Sequence, residues 1–194
     1  AWPFPPQLPA RKPPEKKSPA ATASELVQVG WQEFLFARFP EAEQQFRKAL
    51  EKDAKCRDAR VGLAHLELDR NPGKAAEEAR AAVAVDPDSG PGHYALAAAE
   101  SRLGHQEIAL EEAWKATLDP ATAVAARALI ARLLIQQRHY GAAVVALTEP
   151  GPWREDSLCQ NQLASAWQQL GKQKLADGIV RLNLEVDPIP SQSD

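Results

Sequence analysis

Residues 159–188 read CQNQLASAWQQLGKQKLADGIVRLNLEVDP, and the residue types in this stretch follow a definite order. In order, it carries a large, a small, an aromatic, a turn-forming, a small and a helix-ending residue: Leu163, Ala164, Trp167, Gly171, Ala176 and Pro188. Proline and the residue before it continue a helix poorly. The stretch therefore predicts two helices that are joined by a short turn.

Small residues at the same places recur along the whole body of the chain. One series is Gly30, Ala64, Ala97, Ala131 and Ala164, with spacings of 34, 33, 34 and 33 residues. A second series is Ala42, Ala75, Ala109, Ala143 and Ala176, with spacings of 33, 34, 34 and 33 residues. A plain helix bundle has no reason to repeat at a fixed period, so the two series predict a repeat architecture.

The first unit shows how each repeat is expected to pack. Its two helices are separated by a turn predicted near Phe39 and Pro40. Small side chains at Gly30 and Ala42 allow the two helix backbones to approach closely. Phe46 is expected to fill the space between this hairpin and the next one. The sequence LTEPGPW shortens the fourth unit, so an irregularity is expected around residues 148–155.

The period and the internal order of residues resemble the tetratricopeptide repeat (TPR) family, whose unit has about 34 residues. The resemblance implies an all-α protein, a right-handed α-α superhelix (solenoid) of about five TPR helix hairpins that occupies residues 23–190. The units are expected at residues 23–56, 57–88, 89–121, 122–152 and 155–190. An extended Pro-rich tail, residues 1–22, precedes the solenoid, and residues 191–194 form the carboxyl-terminal end.

The resemblance also implies that a groove lined by the first helix of each unit holds a peptide or helix of another protein. The expected groove residues are Val27, Trp31, Phe34, Leu35, Val61, His65, Leu68, Tyr94, Arg102 and Arg132. Packing within the array remains an equal alternative for Trp31 and Phe34. Family members that clamp chaperone tails carry lysine and asparagine where this chain has Val27 and Trp31, which argues against that role.

The tail AWPFPPQLPARKPPEKKSPA differs in character from the repeats. Proline favours an extended polyproline II conformation, so ordering the tail on a partner costs little entropy. Its expected partner-binding residues are Trp2, Phe4, Leu8 and Arg11. A plain linker, or an SH3 ligand at PQLPAR, is the alternative. The tail carries a formal charge of +3 and the whole chain −3, so the remainder stands at −6, which opposes nucleic-acid binding.

No constellation of residues in the sequence predicts catalysis. His105 and His139 occupy equivalent turns, which stacked repeats would hold roughly 10 Å apart, too far for one metal ion. The sequence has neither a GxSxG motif nor a glycine-rich phosphate loop, and Cys56 and Cys159 are interpreted as packing or surface thiols. The acidic residues expected on solvated faces are Glu77, Glu78, Glu111 and Glu112. We therefore expect no catalytic residue, metal, cofactor or small-molecule substrate.

These features predict a non-enzymatic scaffold that holds protein partners or neighbouring copies of itself in a larger assembly. The last helix adds apolar residues that a further chain would cover: Ile179, Val180, Leu182, Leu184 and Val186. The alternatives are a transient peptide-binding adaptor or co-chaperone, and the regulatory repeat portion of a longer enzyme. Because the sequence opens at Ala1 without methionine, we expect that either the initiator alone or a longer leader, such as a signal peptide or an upstream membrane anchor, has been lost. Export to a bacterial periplasm or envelope complex is favoured over the cytoplasm.

Overall fold

A computed structural model describes residues 21–186, with side-chain surroundings through Ile179. The predictions for Trp2, Phe4, Leu8, Arg11 and Pro188, for residues 191–194, and for the apolar face beyond Ile179 lie outside the described residues. The helices are α1 Ala23–Leu35, α2 Phe39–Lys52, α3 Arg57–Glu67, α4 Pro72–Val85, α5 Gly90–Arg102, α6 Gln106–Ala116, α7 Ala123–Gln136, α8 Tyr140–Thr148, α9 Ser157–Gln169 and α10 Gln173–Val186. A short 3₁₀ helix, Pro152–Arg154, lies between α8 and α9.

The ten helices form five consecutive hairpins, in which α1 packs on α2, α3 on α4, and so on to α9 on α10. Each hairpin otherwise packs against the hairpins next to it. This arrangement confirms the prediction of an all-α solenoid of about five helix hairpins. Among residues 21–186 no strand is present.

Capping residues and prolines mark where helices begin. Thr22 and Glu25 form a capping box on α1, in which the Thr22 hydroxyl accepts from the Glu25 N–H at 3.2 Å and the Glu25 carboxylate accepts from the Thr22 N–H at 2.7 Å.

The predicted turn at Phe39 and Pro40 is displaced, because the turn occupies residues 36–38 and α2 begins at Phe39. Proline is tolerated there because the first turn of a helix needs no N–H from it.

The two series of small residues are buried at the hairpin and unit interfaces, which explains their period. The exposed fraction is 0% at Ala42, Ala97 and Ala131. Phe46 is also fully buried, and a Cβ atom at Gly30 or Gly62 would come within 2.6 or 2.4 Å of its ring. Phe46 therefore fills the space between the first and second units, as predicted, and it requires a glycine on each side.

The core is divided among the unit interfaces. Four clusters of buried residues follow one another along the described chain, and each joins two neighbouring hairpins. The fourth hairpin is irregular as expected, because α8 has only 9 residues and ends just before Pro150. Trp153 of the following 3₁₀ helix is buried beside α7 and α9 in the last of these clusters.

Candidate functional site

The first helices of the five hairpins, α1, α3, α5, α7 and α9, form one continuous wall of the array, here called the inner wall. Each of these helices contacts the next one, whereas among the helices between residues 23 and 186 no second helix contacts another second helix. Elements on the inside of a curve lie closer together than those on the outside. The inner wall is therefore the concave side of the solenoid.

An aromatic row occupies the amino-terminal part of the inner wall and consists of Trp31, Phe34, His65 and Tyr94. The Trp31 ring lies edge-on to Phe34 at 5.5 Å and to His65 at 5.6 Å between ring centroids. The His65 ring is 6.2 Å from that of Tyr94, on the third unit. All four side chains are half-buried. The row thus both joins three successive units and offers ring surface to a partner, so both roles weighed for Trp31 and Phe34 are physically available.

The imidazole of His65 lies in an apolar setting between these rings. Burial lowers the pKa of His65 below its ordinary value, because the surrounding rings replace the water that would solvate the cation. The row is therefore uncharged at neutral pH.

The other predicted groove residues near the aromatic row lie in different environments. Val27 and Val61 are 7% and 4% exposed and belong to the core clusters beneath the wall. Leu68 is half-buried against two of these clusters. Leu35 is 81% exposed, and with Phe36, 69% exposed, it forms an apolar surface at the α1–α2 turn.

Two predicted arginines lie farther along the inner wall in different electrostatic settings. Arg102 pairs with Asp69 at 2.8 Å, and both side chains are exposed. Arg132 lines a small pocket between α5, α7 and α9, and Tyr94 lines the same pocket. The structure therefore brings together two groove residues that are 38 positions apart in the sequence.

A buried arginine on α7 was missed by the sequence analysis. The guanidinium carbon of Arg127 lies 4.7 Å from the Trp114 ring centroid and 4.4 Å from that of Trp153. Its Nη1 donates to the Ala146 carbonyl at 3.0 Å and to the Glu149 carboxylate at 2.7 Å. This arrangement satisfies the Ala146 carbonyl in the last turn of the shortened α8 and holds Glu149 in the loop that follows. The sequence gave no periodic signal at Arg127, so the repeat pattern could not have identified this residue.

The expectation that acidic residues lie on solvated faces is wrong for Glu112, which is 9% exposed. Its carboxylate accepts from Lys115 Nζ at 2.8 Å and lies 2.6 Å from His93 Nδ1. Although burial favours the neutral acid, the hydrogen bonds from Lys115 and His93 lower the pKa of Glu112. His93 Nε2 lies 2.8 Å from the Pro87 carbonyl, so this cluster ties α6 to the α4–α5 turn.

Among the described residues, few side chains are suited to act as a nucleophile or to bind a metal ion. Burial raises the pKa of the Cys159 thiol to about 12, so it stays protonated, and Cys56 is also a free thiol. Between residues 21 and 179 no three metal-binding side chains come together. None of the helices in the described part of the chain has the length and apolar character required to cross a membrane.

Comparisons with known proteins identify the fold. Neither a family model nor a curated protein matches the sequence. TTC0263, a thermophilic TPR protein of Thermus thermophilus, superposes with a TM-score of 0.72 and 19% identity, over 87% of this chain and 93% of that one. PilW, a type IV pilus biogenesis factor, gives 0.77 and 19%, over 86% and 78%. YrrB, a TPR protein with an unusual peptide-binding site, gives 0.60 and 16%, over 87% and 88%. This chain therefore has the superhelical fold of tetratricopeptide repeat proteins.

Proposed function

We propose that this protein is a non-enzymatic interaction scaffold that holds a segment of a partner protein against its inner wall. The observation that carries the proposal is the aromatic row, in which half-buried rings of Trp31, Phe34, His65 and Tyr94 line successive first helices. Aromatic side chains supply large contact area at low entropic cost and are enriched where proteins bind one another. The exposed Leu35 and Phe36 add apolar surface at the α1–α2 turn, directly after Phe34 in the sequence.

Site-specific photo-crosslinking in the cells that make the protein tests this proposal. A photoreactive phenylalanine analogue replaces Leu35, 81% exposed beside the row, or Ile108, 47% exposed on the second helix α6. Both sites are accessible, so their reactivity differs only through what lies near them. We expect a discrete adduct with one partner from position 35 and none from position 108. Equal labelling from both positions, or no adduct from position 35, contradicts the proposal.

Two more specific functions are each favoured by one of the similar structures. The likeness to PilW, a type IV pilus biogenesis factor, favours a subunit of a bacterial envelope assembly, in which the Pro-rich tail forms a second contact. The likeness to YrrB, which has a peptide-binding site, favours a transient adaptor. We propose the assembly subunit as the principal function, with the tail residues Trp2, Phe4, Leu8 and Arg11 as anchors.

Deletion and substitution distinguish these two functions. Deleting residues 1–20 is expected to release an assembly subunit from its complex, whereas Phe34→Ala weakens only the inner-wall contact and leaves the subunit attached through its tail. A transient adaptor gives the reverse result, because the groove then supplies the affinity. Co-sedimentation of the tagged protein with its partner measures both variants, and Ile108→Ala on the outer side serves as the control.

A further inference from the structure

The two edges of the array carry opposite charge. Because the helices of each hairpin run antiparallel, the loops that join successive hairpins lie at one edge of the array, here called the loop edge: residues 53–56, 86–89, 117–122 and 149–156. The turns within the hairpins lie at the opposite edge, here called the turn edge: residues 36–38, 68–71, 103–105, 137–139 and 170–172. The four loops contain seven carboxylates and two cations, a formal charge of −5, whereas the five turns contain four cations and one carboxylate, a formal charge of +3. The loop edge therefore attracts a basic segment.

Most carboxylates of the loop edge lack a counter-charge among the described residues. Two of the seven pair with arginines of α3 and α7. The other five make no ion pair with another described residue: Asp53, Asp88, Asp119, Glu155 and Asp156. The side chain of Asp88 is exposed and makes no hydrogen bond within the described chain either. Carboxylates that share one edge repel one another, so a bound cation relieves this repulsion.

A pocket of about 710 Å³ opens at the loop edge, between the ends of α4 and α6. Apolar side chains and two of the carboxylates line it: Val83, Pro87, Leu118, Asp88 and Asp119. Leu118 is 85% exposed. The basic groups of the pocket, His93 and Lys115, are already paired with carboxylates of α6. Pockets of roughly 300–1,000 Å³ bury a drug-sized molecule, so this one has space for several side chains of a peptide that is both apolar and basic.

The tail of this chain has that composition and leaves the array at the same edge. Its stretch PPQLPARK places prolines and Leu8 directly before Arg11 and a lysine. Thr22 lies at the loop edge, because it caps the start of the first helix α1. Neighbouring helices pack about 8–10 Å apart, so the pocket between the second and third units lies roughly 20–30 Å from Thr22. The eleven residues from Arg11 to Thr22 span up to roughly 34 Å at the polyproline II rise of 3.1 Å per residue. The tail therefore reaches the pocket of its own chain.

We propose that the loop edge docks the Pro-rich tail of the same chain. Leu8 and the prolines beside it pack against Leu118 in the pocket. Arg11 and the lysine after it pair with Asp88 and Asp119. Because the tail is tethered, its effective concentration at the pocket is on the order of millimolar, so contacts that would be weak between separate molecules are sufficient.

Docking of the tail regulates its contact with a partner. Leu8 and Arg11 are also anchors in the proposed assembly contact, so the loop edge and a partner compete for the same residues. The tail leaves the loop edge only when a partner binds it more tightly. This consequence rests on the proposed function, whereas the docking itself does not.

Photo-crosslinking in the purified full-length protein tests the docking. The photoreactive phenylalanine analogue replaces Gln7, which leaves Leu8 and Arg11 in place, and mass spectrometry maps the adducts. An equal mixture of isotope-labelled and unlabelled protein distinguishes the source of the tail. Contacts within one chain join peptides of one label, and contacts between copies also join peptides of both labels.

Two double variants are compared with the wild type. Asp88→Asn with Leu118→Ser removes an unpaired carboxylate and an exposed apolar side chain from the pocket. Glu107→Gln with Ile108→Ser makes the matched changes at exposed positions of α6 near the turn edge, and it serves as the control.

We expect adducts within one chain between position 7 and residues 83–88 or 115–119. Asp88→Asn with Leu118→Ser should lower their yield by about 5- to 10-fold, because it weakens both the ion pair and the apolar contact. The control variant should not. Asp88→Lys should also lower the yield, and combining it with Arg11→Glu and Lys12→Glu should restore it. Added salt should lower the yield in the wild type, because exposed ion pairs are screened.

Other results overturn the inference in distinguishable ways. Absence of adducts at the loop edge, or equal yields from the two double variants, overturns the docking. Adducts that join both labels assign the tail to a second copy and overturn docking within the chain. In either case a partner crosslinked from position 35 leaves the scaffold function standing. Conversely, adducts at the loop edge without any partner at position 35 support the docking and contradict the scaffold.

Discussion

Single residues in the hairpin turns adopt a backbone conformation that favours glycine. Ala37, Gly104, Arg138 and Gly171 each stand two residues after the end of a first helix and have φ values of 58°, 83°, 62° and 70°. In each turn the next N–H bonds back to the helix, as from Arg38 to the Glu33 carbonyl at 2.9 Å, which is the Schellman arrangement. A residue with a Cβ atom pays roughly 1–2 kcal/mol for this conformation.

Replacing the non-glycine residues should therefore stabilise the protein. We expect Ala37→Gly and Arg138→Gly each to raise the free energy of unfolding by about 0.5–1 kcal/mol, and Gly104→Ala to lower it by about 1 kcal/mol. A Cβ atom at Gly104 meets no other atom within 4 Å, so the effect comes from the backbone alone. Urea unfolding followed by circular dichroism measures it.

The matched control for these turn variants is a glycine within a helix. Gly178 lies inside α10, and a Cβ atom there also meets nothing within 4 Å. Gly178→Ala should stabilise the protein by about 1 kcal/mol, because alanine is the better helix former. If Gly104→Ala stabilised the protein to the same extent, the interpretation of the turns would be wrong.

At His65, the lowered pKa makes stability depend on pH. As pH falls through about 6.5, the ordinary pKa of histidine, the unfolded chain takes up a proton that the folded chain resists. This contribution to stability is therefore complete above that pH and is lost progressively below it. His65→Phe keeps a ring in the aromatic row and removes the titration. The free energy of unfolding of the variant should fall less between pH 7 and pH 5 than that of the wild type, and identical slopes would contradict the assignment.

At the scale of elements, Arg127 compensates for the short helix α8. Because it bonds the Ala146 carbonyl and the Glu149 carboxylate between two tryptophan rings, Arg127→Leu should lower the free energy of unfolding by about 2–4 kcal/mol. Arg127→Lys keeps the charge without the planar stack and should lose less. Arg132→Leu, on the same helix but exposed and unpaired among the described residues, should change stability by less than about 0.5 kcal/mol. Chemical denaturation separates these values, and equal losses at positions 127 and 132 would rule out the proposed role.

The same elements show which features the sequence could predict. The two series of small residues predicted all five hairpins, because close backbone contact permits only small side chains and so leaves a periodic trace. Sequence periodicity also placed Tyr94 and Arg132 on one wall. It did not predict Arg127 or the burial of Glu112, because each depends on a partner in a neighbouring helix at no fixed spacing. Likewise, the pocket beside Arg132 exists because the side chains of Ala125 and Ala128 are small. Two alanines in an alanine-rich chain do not indicate a pocket in the sequence.

At the scale of the whole molecule, the division of the core into clusters that each join two neighbouring hairpins predicts that damage stays local. Phe46→Ala empties the contact between Gly30 and Gly62 and should cost about 3–5 kcal/mol in that interface. Hydrogen exchange measured by mass spectrometry should then show faster exchange in α1, α2 and α3 and unchanged exchange in α7 and α9. Arg127→Leu is the reciprocal control, since it should speed exchange in α7 and α8 and leave α1 and α2 as they were. A uniform increase along the chain in both variants would mean that the array unfolds as one cooperative unit, because local damage cannot remain local when every interface must form together.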